Sequence, residues 1–228
     1  IALLSLFNSV ALLLAIYALG FKGEIARRDF SIAALALLSL QVAGLAASAI
    51  AFLFAWSLLG FAALWCGVER DGWDGVRPLD RLGDILFVVG VLLSQADVPH
   101  IAAYCLLLAI WTRMGHLPFP LELFRADSGR CRGWLFALLG DLVSPFVALA
   151  LFLHYRALIA AQIGVLDIGL YVGLATALAA VLAALKVSDV RRSLSLTTAG
   201  QMGLVLAFMG MGAEVAAIFL LALHGVAK

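Results

Sequence analysis

Charge is what this sequence has least of. Of its 228 residues 13% are charged, where an ordinary soluble domain carries roughly 25%. So little polar surface cannot cover a soluble domain of this length. A disordered chain is excluded too, because 65% of the residues are hydrophobic. Charge of one sign is also missing: 15 Lys and Arg stand against 14 Asp and Glu, a net +1. No field of that kind steers a protein to nucleic acid. Cysteine is sparse. Cys66, Cys105 and Cys131 are odd in number and lack CxxC spacing, so neither a disulfide framework nor a metal site is written there. No phosphate loop, nucleophile triad or metal-ligand cluster occurs, so no catalytic site is expected.

What the sequence has is long apolar runs. A spanning helix needs roughly 20 mostly apolar residues, and nine stretches answer to that: 1–21, 30–47, 49–68, 82–96, 99–120, 134–154, 165–186, 194–211 and 213–228. The first lacks a basic leader and a small-residue cleavage site, so it reads as a span and not a signal peptide. The run from Phe30 to Val68 is too long for one span and divides near Ser48. The alternation of a β-barrel is absent. The expectation is an all-α, polytopic transmembrane bundle in a single domain over 1–228.

The loops test the count. Lys22, Arg27 and Arg28 follow the first span, and Arg70, Arg77 and Arg81 the third. Arg125, Arg130 and Arg132 follow the fifth, and Lys186, Arg191 and Arg192 the seventh. The loops after spans two, four, six and eight carry Arg156 alone. This strict alternation fits the positive-inside rule, with Ile1 outside and the basic loops in the cytoplasm. Lys228 ends the sequence within an apolar span, which implies a longer polypeptide.

Ionisable groups at membrane depth are expensive and each needs a reason. Arg113 and His116 lie in the fifth span ahead of Pro118 and Pro120, which should break the helix. Arg113 either serves a hydrated, buried interior or snorkels to an interface. Asp141, near Ser144 and Pro145 in the sixth span, is either a functional acid or half of a structural ion pair, with Arg113 as partner. His224 and Lys228 stand at i and i+4 on one helical face; they are proton carriers or, for Lys228, an interfacial anchor. Asp84 reads as an acid facing backbone amides at a helix start. His100 and His154 read as solvated near interfaces. Glycines permit close helix contacts, with no dominant GxxxG.

Several stretches, in order along the chain, resemble the large antiporter-like membrane subunits shared by respiratory complex I and Mrp-type cation/proton antiporters. Asp189–Gly203, DVRRSLSLTTAGQMG, is similar to the family's D(I/V)KR-LAYST-SQ-G stretch. AAIFLLALHGVAK, Ala216–Lys228, resembles AAxFHLxxHAxFK, with His224 and Lys228 matching and Leu220 in place of the first histidine. RMGHLPFPLELFRAD (Arg113–Asp127), RLGDILFVVG (Arg81–Gly90) and FAWSLLG (Phe54–Gly60) resemble GKSAQLPLxxWLxDA, NRVGDFGFLLG and LFxxWELxG.

The resemblance implies a fold of two inverted five-helix repeats, the second incomplete here. It implies proton or sodium translocation by an inner-membrane subunit of a larger energy-coupling complex. It also implies departures. The family's glutamate after the tryptophan is Ser57, beside Trp56, and a serine holds no charge. The broken-helix lysine is Arg113, which does not deprotonate. The carriers that remain are His116, Asp141, His224 and Lys228, with Arg113 as a fixed charge. No nicotinamide, flavin or iron–sulfur cluster is expected on this chain. Partners are the lipid bilayer and other subunits: a redox arm, or the zinc-containing, carbonic-anhydrase-like subunit of a dissolved-inorganic-carbon pump. A non-conducting scaffold is the third alternative.

Overall fold

The computed structural model describes residues 24–71, 78–116, 135 and 137–227, with isolated positions 9, 12 and 16. Among them are eight α-helices and no strand. They are α1 (Glu24–Leu45), α2 (Ala49–Asp71), α3 (Pro78–Gln95), α4 (Pro99–Met114), α5 (Ser144–Ala160), α6 (Val165–Ala184), α7 (Val190–Gly210) and α8 (Glu214–Ala227). A π-helical segment, Ala137–Val143, runs directly into α5. Among the described residues four helical stretches are long and apolar enough to cross a membrane: Arg28–Leu45, Leu138–Ala160, Val165–Ala184 and Ser193–Gly210. Of the first expected span, 1–21, all but positions 9, 12 and 16 lies outside the described residues, as does Lys228.

Local chemistry sets the helix ends. Ser48 stands between α1 and α2, and its hydroxyl accepts the Ala51 N–H at 3.3 Å and caps α2. Pro78 and Pro99 open α3 and α4, where a missing N–H costs nothing. At the other end of α4 the stop comes earlier than the paired prolines. Gly115 takes a left-handed backbone (φ 74°), and the Gly115 and His116 N–H groups close onto the Thr112 and Trp111 carbonyls. A left-handed glycine is a sufficient terminator by itself.

Helices adjacent in sequence pair in space: α1 with α2, α3 with α4, and α6 with α7. The π-helical segment and α5 run through the middle, touching α1, α2 and, through α5, α4, α6 and α8. Every residue from Leu138 to Leu149 is buried. The α6–α7 pair is the tightest contact. A Cβ on Gly173 would lie 2.5 Å from the Gly203 carbonyl oxygen, and one on Gly203 would lie 2.7 Å from the Gly173 carbonyl oxygen. The two backbones touch, as small-residue interfaces in membranes allow. Gly169 and Gly173 form a GxxxG pair on this face of α6. The opposite face of α6 exposes Tyr171, Leu174, Leu178 and Val181. It is apolar and unshielded, as a helix facing acyl chains is.

Candidate functional site

The polar centre lies where α2, α3 and α4 meet. Arg113 occupies the last turn of α4, where the exposed carbonyls at a helix end favour a cation. Its side chain is 12% exposed. The guanidinium stacks on the Trp56 ring, 4.4 Å from its centroid, and Nη2 donates to the Trp56 carbonyl at 3.0 Å. Such a stack contributes about 2 kcal/mol when desolvated. Nη1 lies 3.6 Å from Asp84 Oδ1. The Trp56 indole N–H donates to that same Asp84 oxygen at 2.8 Å. Arg81, one turn before Asp84 on α3, donates to its other oxygen at 2.8 Å. Phe87 packs against the indole, with ring centroids 4.6 Å apart.

Arg113 therefore has a carboxylate partner on α3, one to which its position in the sequence gives no pointer. Asp84, read from sequence as a helix-start acid, is the hub: one carboxylate receives Trp56 and two arginines. Packing explains the meeting. A Cβ at Gly83 would collide with the Thr112 side chain, so its absence lets α3 lie against α4 beside Arg113. The signal in the sequence was the Arg81-x-Gly83-Asp84 spacing, but it shows only the local pair. Trp56 and Arg113 are distant along the chain.

Asp141 sits on the π-helical segment and is 8% exposed. Three residues on, the Ser144 hydroxyl donates to the Arg113 carbonyl at 3.0 Å. The backbone of Arg113 thus faces the π–α5 junction, while its guanidinium reaches α2 and α3. His116, just past the end of α4, is wholly buried, and among the described residues neither ring nitrogen has a hydrogen-bond partner. Ser57 is exposed, on the α2 face shared with Phe54 and Phe61, while its neighbour Trp56 is buried. The former acid position thus points away from the cluster that Trp56 helps to build.

His224 is buried on α8, and its Nδ1 meets the side-chain oxygen of Gln201 on α7. This joins the two C-terminal motifs. His100 and His154 are exposed as expected; His100 meets Gln162 at 3.2 Å and His154 packs on Phe52 at 4.7 Å. One buried acid was missed. Asp29, assigned to a cytoplasmic loop, is 2% exposed and pairs with Arg28 at 3.2 Å. Among the described residues no group of His, Cys, Asp and Glu could hold a metal ion.

No protein-family model matches the sequence, and no curated protein matches it. Among solved structures, a chain of the Mrp complex from Dietzia sp. DQ12-45-1b superposes on 98% of this chain with a TM-score of 0.81 at 16% identity. The present chain spans 28% of that chain's length. At this identity the likeness is one of fold. The all-helical class expected from the apolar runs is the class found among the described residues.

Proposed function

We propose that this chain is a proton- or cation-translocating, antiporter-like membrane subunit of a larger complex. The observation that carries the reading is the part-buried Arg113–Asp84 pair at 3.6 Å, with Arg113 stacked on Trp56, in an apolar helical chain whose described residues include four stretches of membrane-spanning length. Charges are retained at such depth where ions or protons move, or where a mobile element needs holding. The likeness to an Mrp-complex chain supports the same reading. The wider architecture belongs to the proposal: nine spans, two inverted repeats with the second incomplete, residue 1 outside and the basic loops cytoplasmic in an inner membrane.

The residues divide by chemistry. Arg113 is a permanent positive charge. Asp84 is its counter-ion, so the local field depends on whether Asp84 keeps its charge. Asp141, His116 and His224 are the groups able to take and release a proton along the interior, with Lys228 beyond the described residues. A second reading has an observation of its own. Arg113 is held by a stack, a carbonyl and a carboxylate at once, as suits a structural tie in a non-conducting subunit.

The test is ion flux. The full-length protein, purified with its partners from native membranes and reconstituted in vesicles, is assayed with a pH-sensitive dye. Loss of flux in Asp84→Asn with the complex intact supports translocation. Unchanged flux in Asp84→Asn, Asp141→Asn and His224→Ala together leaves the tie. Mass spectrometry of the co-purifying subunits names the complex. Iron–sulfur or quinone-reducing partners place it in a redox pump, and a zinc-containing soluble partner places it in inorganic-carbon uptake.

A further inference from the structure

His224 stands in the last turn of α8 and is 1% exposed. Its Nδ1 meets Oε1 of Gln201 on α7. An imidazole nitrogen is a donor or an acceptor according to its proton, but an amide oxygen only accepts. The proton of this bond therefore sits on Nδ1. A neutral imidazole carries one N–H, so the lone pair is on Nε2, and the partner of one nitrogen decides the state of the other. When the ring becomes imidazolium, Nδ1 keeps its proton and Gln201 keeps its bond. The amide oxygen serves both states and takes the proton in neither.

The fold holds both partners in place. Gly203, two residues past Gln201 on α7, lies with its backbone against Gly173 of α6, so α7 is fixed along its length. The first turn of α8 is tied to α5, where Arg156 pairs with Glu214. Ala217, Leu221 and His224 follow one another at helical spacing as a buried stripe on α8. Val215, Phe219 and Leu223 are exposed on the same helix. Rolling α8 to carry the imidazole away from Gln201 would carry Ala217 and Leu221 out of the core with it. Turning the ring alone about Cβ–Cγ would set a carbon, Cδ2, against the amide oxygen and forfeit the bond.

Through-transfer across an imidazole uses both nitrogens: one takes a proton while the other gives up its own. At His224 the Nδ1 proton faces an oxygen that does not receive it, so that exit is shut. We propose that Gln201 is a positioning residue that locks His224 in the Nδ1–H tautomer, so that His224 takes and returns protons at Nε2 alone. It is then a side store on the path and not a through-relay. On loading, Nε2 gains a proton and the ring becomes cationic; on discharge Nε2 loses that proton, and the Nδ1–H bond is unchanged throughout. The proposal rests on the reading of this chain as an ion-translocating subunit and names how one of its groups works.

The experiment is solid-state nitrogen NMR of the full-length protein, carrying isotope-labelled histidine and reconstituted in lipid with its native partners. The signals of His224 are those lost in His224→Asn. A protonated ring nitrogen and a lone-pair nitrogen resonate far apart, so the tautomer is read directly. Through a titration of pH, Nδ1 should stay in the protonated range while Nε2 alone moves. Gln201→Leu should abolish the fixed form, both nitrogens then taking intermediate positions as exchanging tautomers do. Gln201→Glu, which keeps an acceptor oxygen at the same reach, should retain it. An Nε2–H tautomer in the wild type overturns the proposal. So do joint movement of both nitrogens, an Nε2 that never titrates, and an unmoved tautomer in Gln201→Leu, as a merely structural contact would give. Should Gln201→Leu fail to assemble, the wild-type titration and Gln201→Glu decide. Proton flux is recorded on the same preparations. A fixed Nδ1–H without flux keeps the Gln201 lock and removes the transport reading. Flux with an Nε2–H tautomer removes the lock and leaves the transport reading standing.

Discussion

Gly200 and Gly203 lie three residues apart on α7, and the same substitution at each should have opposite consequences. At Gly200 an added methyl would meet the Ala180 Cβ at 3.6 Å and the Ala177 carbonyl oxygen at 3.9 Å, both ordinary contacts. At Gly203 it would lie 2.7 Å from the Ala177 nitrogen and 2.7 Å from the Gly173 oxygen. Backbone atoms of a packed helix cannot turn aside, so α6 and α7 must part by about 0.7 Å to restore a contact of 3.4 Å. Overpacking of that kind costs about 1–3 kcal/mol. Alanine also favours the helix over glycine by about 1 kcal/mol. That gain is common to both variants and cancels in their difference. Gly200→Ala should therefore be neutral or stabilising by up to about 1 kcal/mol, and Gly203→Ala should be less stable than it by about 1–3 kcal/mol. Unfolding of the purified protein in a denaturing-detergent titration, followed by circular dichroism, measures both. A difference under about 0.5 kcal/mol, the scatter of independent sites, would refute backbone contact between α6 and α7. The double variant Gly173→Ala with Gly203→Ala adds a check. One separation of the helices relieves both clashes, so the combined loss should be smaller than the sum.

Asp84→Asn should cost about 1–3 kcal/mol in the same titration, because two arginines lose their shared carboxylate; the 24% exposure of Asp84 keeps the figure below that of a fully buried pair. Arg113→Lys should not be conservative. An ammonium loses the planar stack on Trp56 and the fork that reaches both the Trp56 carbonyl and Asp84, so stability should fall by about 1 kcal/mol and flux should change with it. His116→Leu should hold or raise stability, since it replaces a buried ring with two unpartnered nitrogens by an apolar side chain of similar bulk. A simultaneous loss of proton flux in intact complex would mark His116 as a carrier, and unchanged flux would remove it from the path.

The helical architecture was legible because apolar runs of spanning length announce themselves one residue at a time. Ser48 and the two opening prolines mark helix ends by chemistry that needs no tertiary knowledge. The polar site was legible only in part. Arg113, Asp141, His116 and His224 could be singled out because a charge or imidazole in an apolar run is conspicuous. Their pairing could not be read in the same way. Asp84 stood close to a basic loop, where an acid has an easy local explanation, and its partnership with Trp56 and Arg113 depends on Gly83 admitting the Thr112 side chain. The π-helical segment was foreshadowed by Pro145, but a proline does not say whether a helix will kink, stop or widen. Asp29 hid beside two arginines in what reads as a solvated charge run.

Trp56 also gives the protein a built-in optical probe. Its indole carries a cation on its face and an anion at its N–H, both fixed by the fold. The energy of an indole's excited state shifts with the field across the ring. Any event that neutralises Asp84, or moves Arg113 off the ring, therefore changes the colour and yield of the Trp56 emission. In a variant whose other four tryptophans are replaced by phenylalanine, the charge state at the centre of the bundle could be followed in real time, without a label, while ions are admitted from one side of the membrane or the other.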